Sequence, residues 1–213
     1  MIHAVSESLR ALVRRDALNG SDVEVAFEAP NREWSGKRTA PTVDIYLYDI
    51  REDLRRRQYG IVDQREDGLV TARTRPPRHF KLSYLVTAWT QRPEDEYHLL
   101  STLLDCFVKH DHIPPELLVG PLDREAQPVF VTIAQPPPQD RSLSDVWSAL
   151  GGELKPSLDL VVLAPWVPAA DEDIAPPVTE EPKMAFSRFG DEEKETVMRR
   201  TRRADPNARR GKG

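Results

Sequence analysis

Three groups of residues have the types and spacing for chemistry. His98, Cys106, His110, Asp111 and His112 form the one metal-like cluster in the chain. Imidazole, thiolate and carboxylate are the usual donors to transition metals. Cys106 and His110 also stand one helical turn apart, a spacing that a thiol–imidazole nucleophile would use. Asp44, Asp49, Glu52 and Asp53 gather carboxylates toward one strand end, where paired acids can move protons. Arg55, Arg56 and Arg57 make a cationic run suited to carboxylates or phosphates.

Each group also has a plainer reading. His110 falls at a helix C-terminus, where it would cap carbonyls and meet the dipole. Cys106 lies beside an apolar stripe and reads as a buried, inert thiol. The four carboxylates have no second constellation to work with and read as a solvated rim. No Gly-x-Ser-x-Gly elbow occurs, and Gly151-Gly152 runs into Glu153 without the Lys-Ser/Thr of a phosphate loop. The chain is therefore read as non-enzymatic, with no cofactor and no metal. The arginine run reads as a solvated loop or, where it has a role, as pairing with acidic neighbours in an assembly.

The element that must position these groups runs from Phe80 to His110. Phe80, Leu82, Tyr84, Val86 and Ala88 alternate as one face of a strand. The opposite face mixes Leu85 and Trp89 with Lys81, Ser83 and Thr87, so part of it must be covered, and another subunit is the expected cover. Pro93 suits a first helical position, and Glu94, Asp95 and Glu96 meet the positive end of the dipole. Leu100, Leu103, Leu104, Phe107 and Val108 follow as one apolar stripe.

Before this element the pattern predicts a helix over residues 2–16, a strand around Val23, Val25 and Phe27, a loop over 29–41 and a strand from Val43 to Ile50. Residues 51–79 read as an insertion, a projecting hairpin with its turn at Asp67-Gly68 and too little apolar content for its own core. After the element come a strand through Val129, Val131 and Ile133, a stiff Pro136-Pro137-Pro138 spacer and a short helix from Ser142. That helix buries Leu143, Val146, Trp147 and Leu150. A last strand, Leu158 to Ala164, is nearly all apolar and so central or covered on both faces. The order implies one mixed sheet with helices mainly on one side, an α/β (α+β) domain over residues 1–166.

Charge argues against bulk nucleic-acid binding: 30 Lys and Arg face 35 Asp and Glu, a net charge of −5. A single cysteine excludes an intrachain disulfide and a cysteine zinc cluster. No run of about 18 apolar residues offers a membrane span, and the N-terminus has no signal-peptide pattern. A cytoplasmic chain is expected.

Residues 167–213 differ in composition. Up to Pro182 they are mainly Pro, Ala and acids, and from Arg199 onward they are strongly basic. Their few large apolar side chains do not offset the entropy of ordering them, so alone they are expected to be disordered. They read as a solvated linker or as an arm held by a partner. Residues 191–200 lead with acids and close with bases, as a helix would want. Met184 to Phe189 alternates and would suit strand addition to another protein.

Three segments together resemble a known family. They are Val43-Asp44-Ile45-Tyr46-Leu47-Tyr48-Asp49-Ile50-Arg51-Glu52 with the arginine run, Leu82-Ser83-Tyr84-Leu85-Val86-Thr87-Ala88-Trp89 with Tyr97-His98-Leu99-Leu100, and Asp145-Val146-Trp147-Ser148-Ala149-Leu150-Gly151 with Lys155-Pro156-Ser157-Leu158. This is similar to the cap, or tail-terminator, family of extracellular contractile injection systems. These are phage-tail-like particles such as the Photorhabdus virulence cassettes and the antifeeding prophage. The resemblance covers about residues 1–166. It implies a mostly antiparallel tail-terminator fold and a hexameric ring that closes the inner tube and sheath at the distal end. Sheath and tube proteins are then the implied partners, within cytoplasmic particles that lysis would release, and no catalysis is implied. Arg55, Arg56, Arg57, Leu85 and Trp89 are the expected oligomer or tube contacts. Met184, Phe186, Phe189, Arg199 and Arg200 are the expected contacts of the arm. The alternative is a non-enzymatic adaptor that recruits a partner through that arm.

Overall fold

A computed structural model describes residues 1–66, 69–124, 127–136, 142–152, 154–167, 185–186 and 195–196. Helix α1, Ile2–Leu12, passes into a π-helical turn, Val13–Ala17, and the segment ends near Gly20, whose φ of 78° suits glycine. Strand β1 is Glu24–Ala26 and strand β2 is Thr42–Glu52. Between them the expected loop contains a short helix, α2, Arg32–Gly36. The sign of it was Asn31: its side chain accepts the Trp34 N–H at 2.8 Å, an ordinary N-cap. The insertion is a hairpin of β3, Val62–Glu66, and β4, Leu69–Thr74. The turn expected at Asp67-Gly68 lies outside the described residues.

Strand β5, Arg78–Trp89, leads to helix α3, Pro93–Lys109, as the alternation and Pro93 imply. Then follow helix α4, Pro121–Arg124, strand β6, Phe130–Ile133, helix α5, Leu143–Ala149, and strand β7, Ser157–Trp166. The main sheet has the order β1-β2-β5-β7-β6. Only β1 and β2 run parallel; the other pairs are antiparallel. This is the mixed, mostly antiparallel α/β architecture read from the sequence.

The core lies between the sheet and helices α1 and α3. Val5, Leu9 and Leu12 meet Leu103 and Phe107 over Val43, Ile45, Leu82, Tyr84, Val86, Leu160 and Val162. Period two in the strands and period 3.6 in the helices put these side chains on facing surfaces. Val108 departs from the expected stripe and is 64% exposed. The buried face of α3 centres on Leu103 and Phe107, and Cys106 takes the place given to Val108.

The other face of the sheet is half covered, and the chain covers it itself. Leu85, Trp34 and Trp147 are buried outside the main core. Trp34 meets Trp89 edge-on at 5.4 Å between ring centroids, and Lys155 Nζ lies 4.1 Å from the Trp89 ring. A Cβ on Gly152 would sit 3.2 Å from Trp147 and 3.7 Å from the Pro30 carbonyl. Short helices α2 and α5 thus deliver the tryptophans that seal the half of the face expected to need a second subunit. Beyond β7, residues 185–186 and 195–196 pair antiparallel as two short strands, β8 and β9. The helix expected over 191–200 is therefore not present at 195–196, and its other residues lie outside those described.

Candidate functional site

The arginine run sits where the insertion leaves the sheet. Glu52 pairs with Phe80 at the end of the β2–β5 ladder, and the Asp53 N–H donates to the His79 carbonyl at 2.8 Å. The Asp53 side chain then accepts the Arg55 N–H at 3.3 Å and starts a 3-10 turn, Leu54–Arg56. Arg56 lies 5.3 Å over the Phe130 ring and 3.9 Å from Asp53. Arg57 lies 5.0 Å over Tyr59 and 3.7 Å from Glu52. Arg78 grips both oxygens of Glu52, with Nε at 2.8 Å, and holds that carboxyl below the usual carboxylate range. The Arg55 side chain is exposed. Next to these cations the flap exposes Leu54, Tyr59, Ile61 and Val62. The flap is therefore cationic and apolar together, as protein-binding surfaces often are.

Leu85 is fully buried inside the chain, and Trp89 is half-buried beneath Trp34 and Lys155. Trp89 Nε1–H donates to Thr87 Oγ1 at 2.8 Å. Leu85 offers no surface, and Trp89 only an edge.

The carboxylates are not a solvated rim. Asp44 is fully buried on the second sheet face, opposite Thr87. One oxygen accepts the Glu28 N–H at 3.1 Å, while Oδ2 has no partner. Burial pushes this carboxyl up to about 7, with the Glu28 N–H bond and Arg38 opposing. Asp49 pairs with Arg51 at 3.1 Å, Glu52 with Arg57 and Arg78, and Asp53 with Lys81 at 3.7 Å. Asp44 pairs with Thr87 and so shares the sheet face of Leu85 and Thr87, the face whose apolar residues in β5 already called for a partial cover.

The metal-like cluster does not assemble. His98 and His112 are exposed, and His110 Nε2 lies 2.8 Å from Asp16 Oδ2 in place of the expected cap on helix carbonyls. The Asp16 carboxyl is held low chiefly by Arg15, whose Nε donates to it at 2.7 Å. Among the described residues no group of three or more His, Cys, Asp or Glu could hold a metal ion. Cys106 is buried, and desolvation pushes its thiol up to about 11, so it is neutral at physiological pH. Among the described residues no helix is long and apolar enough to cross a membrane.

The chain itself occupies part of each outer strand of the main sheet, although β1 pairs only with Thr42–Asp44 of β2 and β6 only with Leu160–Leu163 of β7. At β1, Arg10 and Arg14 of the first helical segment donate to the outward carbonyls of Val25 and Val23, each at 2.7 Å. At β6, the Val131 N–H donates to Asp111 and the Ile113 N–H donates to Val129, both at 2.9 Å. The sequence reading missed this, because arginines on a polar helix face give no sign of reaching carbonyls. Of the expected arm residues, Phe186 pairs through its backbone with Glu195, while Met184, Phe189, Arg199 and Arg200 lie outside the described residues.

The described residues thus form a mixed, mostly antiparallel sheet with a separate two-stranded flap. Residues 4–181 match the family model described as the Pvc16 N-terminal domain, and the chain belongs to that family. Two solved structures share the fold. One is the sheath/tube terminator, in the extended state, of an extracellular contractile injection system, PVC. It is 22% identical with a TM-score of 0.64, and the match covers 89% of this chain and 65% of that one. The other is the tube-terminating cap of the anti-feeding prophage, AFP. It is 20% identical with a TM-score of 0.56, and the match covers 84% of this chain and 60% of that one. This chain thus spans a little under two thirds of the length of each. No curated protein matches the sequence.

Proposed function

We propose that this protein is a non-catalytic cap that terminates the inner tube and sheath at the distal end of a contractile injection system, as a hexameric ring. The observation that carries the reading is the Pvc16-family match over residues 4–181, together with the fold shared with two tube-terminating proteins. Its partners are then sheath and tube subunits and further copies of itself. The particles assemble in the cytoplasm and leave by lysis.

A terminator must bind the last layer of a tube and refuse another. Arg10 and Arg14 engage carbonyls at β1, and the 111–113 segment engages β6, so the chain itself occupies part of each outer strand. Side-chain surfaces are then the contacts this reading assigns to the neighbours, foremost the flap carrying Arg55, Arg56 and Arg57. Head-to-tail contacts of this kind close into a ring when the rotation per copy closes.

The test is electron microscopy of particles from cells lacking this protein, beside wild type. Absent tails, or tails of uncontrolled length with ragged distal ends, are the expected result. Particles of normal length with intact ends would reject the cap. The lead would then pass to the adaptor reading, in which residues beyond β7 recruit a partner.

A further inference from the structure

A buried carboxylate lies under a short stretch of chain. Residues 28–41 run from β1 to β2 over the second face of the sheet and carry α2. On that face Thr42, Asp44 and Thr87 are fully buried. Asp44 is the register partner of Thr87, and Thr42 of Trp89, so the four side chains share one side of the sheet. The covering stretch touches this row at few points. The Glu28 N–H donates to Asp44 Oδ1 at 3.1 Å, and Trp34 meets Trp89 edge-on. Arg38, stacked on Trp34, reaches Glu24 of β1 at 3.1 Å and Glu28 at the same distance.

The polar atoms of this layer are poorly matched. Among the described residues, six buried side-chain nitrogen or oxygen atoms have no hydrogen-bond partner, and three of them are Trp34 Nε1, Arg38 Nε and Asp44 Oδ2. A neutral carboxyl tolerates burial with one oxygen unbonded, whereas a carboxylate in the same place is strongly disfavoured. The charged groups acting on Asp44 are Glu28, which repels its charge, and Arg38, which attracts it but is already shared between Glu24 and Glu28. The strands on either side set Ala26 and Thr87 beside it, and both are uncharged. Ionisation is then relieved mainly by water, and water has short ways in. An open cleft of about 390 Å³ is lined by Arg38, Thr39, Ala40, Trp89 and Thr90. A second, of about 330 Å³, is lined by Glu28, Asn31, Trp34 and Lys37.

We propose that residues 28–41 are a proton-dependent lid, closed over the sheet while Asp44 is a neutral acid and loosened when its proton leaves. Burial holds the Asp44 carboxyl up at about 7 under the closed lid, and an open lid returns it toward about 3.9. The open form therefore binds the proton less tightly. Its population grows as pH rises between those two values and levels off above about 7. Opening bares more of the Trp89 ring, which is half-buried under the closed lid. The proposal needs no ring and no tube, so it stands or fails apart from the cap reading.

The experiment is hydrogen exchange by mass spectrometry on the full-length purified protein, with each rate divided by its intrinsic value at that pH. The probes are the amides of Trp34, Ser35 and Lys37, which donate to Asn31 Oδ1, the Asn31 carbonyl and the Trp34 carbonyl. Between about pH 5 and about pH 8 their protection in wild type is expected to fall at least about ten-fold, with most of the fall complete near pH 7. In Asp44→Asn, which keeps an oxygen for the Glu28 N–H, it should stay level. At every pH these amides should be less protected than those of Leu82–Val86 in β5, because the lid opens without unfolding the sheet. Level protection in wild type overturns the proposal, since Arg38 would then meet the carboxylate under a closed lid. Protection equal to that of β5 also overturns it, because the proton would act on the whole fold. So does a fall of the same size in the Asn variant. The wild-type profile decides by itself if that variant does not fold.

Discussion

At the residue scale the most consequential side chain is Asp44. It lies on a sheet face that the chain seals with its own tryptophans, and its Oδ2 has no hydrogen-bond partner. Its pKa is pushed up to about 7, from about 3.9 in an unfolded chain. The folded state therefore holds the proton more tightly than the unfolded state. As pH rises from about 4 to about 7 the protein should lose stability, by a few kcal/mol at most, and above that the loss levels off. The groups facing Asp44 are Glu28, which opposes its charge, and Arg38, which favours it. Asp44→Asn keeps the oxygen that accepts the Glu28 N–H and removes the charge. Urea unfolding of that variant should match wild type near pH 4 and exceed it by roughly 2 kcal/mol at pH 8. Parallel pH profiles for the two proteins would refute this account of Asp44. The alternation Val43-Asp44-Ile45 was legible as a strand, but not that its polar face would be closed.

At the scale of elements, short pieces do work that their length conceals. Helix α2 has five residues and presents Trp34, 8% exposed, against Trp89, with Arg38 stacked 4.4 Å over the Trp34 ring. Trp34→Ala should cost about 3 kcal/mol in chemical denaturation, near the low end for a buried tryptophan, because one rim of the site is open to solvent. A change under about 0.5 kcal/mol would mean that α2 is not the lid of this face. The flap is the opposite case. Its strands β3 and β4 pair only with each other, and Val62, at the start of β3, is exposed. Replacing residues 58–75 with a short Gly-Ser loop should leave the thermal midpoint within about 4 °C, since under 1 kcal/mol is at stake. A collapse of the midpoint would show that the flap braces the sheet. The hairpin could be read from sequence because it lacks core-forming residues. Helix α2 has no period to detect in a turn and a half, and only its N-cap Asn31 marks it.

At the scale of the whole molecule, the exposed arginines of the flap are the surface that the proposed cap would use for assembly. Arg55→Glu, Arg56→Glu and Arg57→Glu together should abolish co-purification with further copies or tube subunits. The same variant should change folding stability by only about 1 kcal/mol, because all three side chains are exposed. Sedimentation with tube and sheath proteins reads the first effect and thermal unfolding the second. Wild-type sedimentation of the variant would remove the arginine run from the assembly surface. Leu85 belongs to no such surface, because it is fully buried within its own chain.

The sequence by itself determined the order of the large elements, the alternating face of β5, the apolar stripe of α3 and the flap. Periods of two and 3.6 are local properties, and a residue carries them wherever it ends up. Tertiary structure alone decided what covers the second face, where His110 finds its partner, and which carboxylate loses its water. It also decided that Arg10 and Arg14 reach the carbonyls of Val25 and Val23. Each of these depends on residues far apart in sequence, as Trp34 is from Trp89 or Asp16 from His110. Burial and pairing are properties of the neighbours that folding brings in, and no stretch of sequence states them.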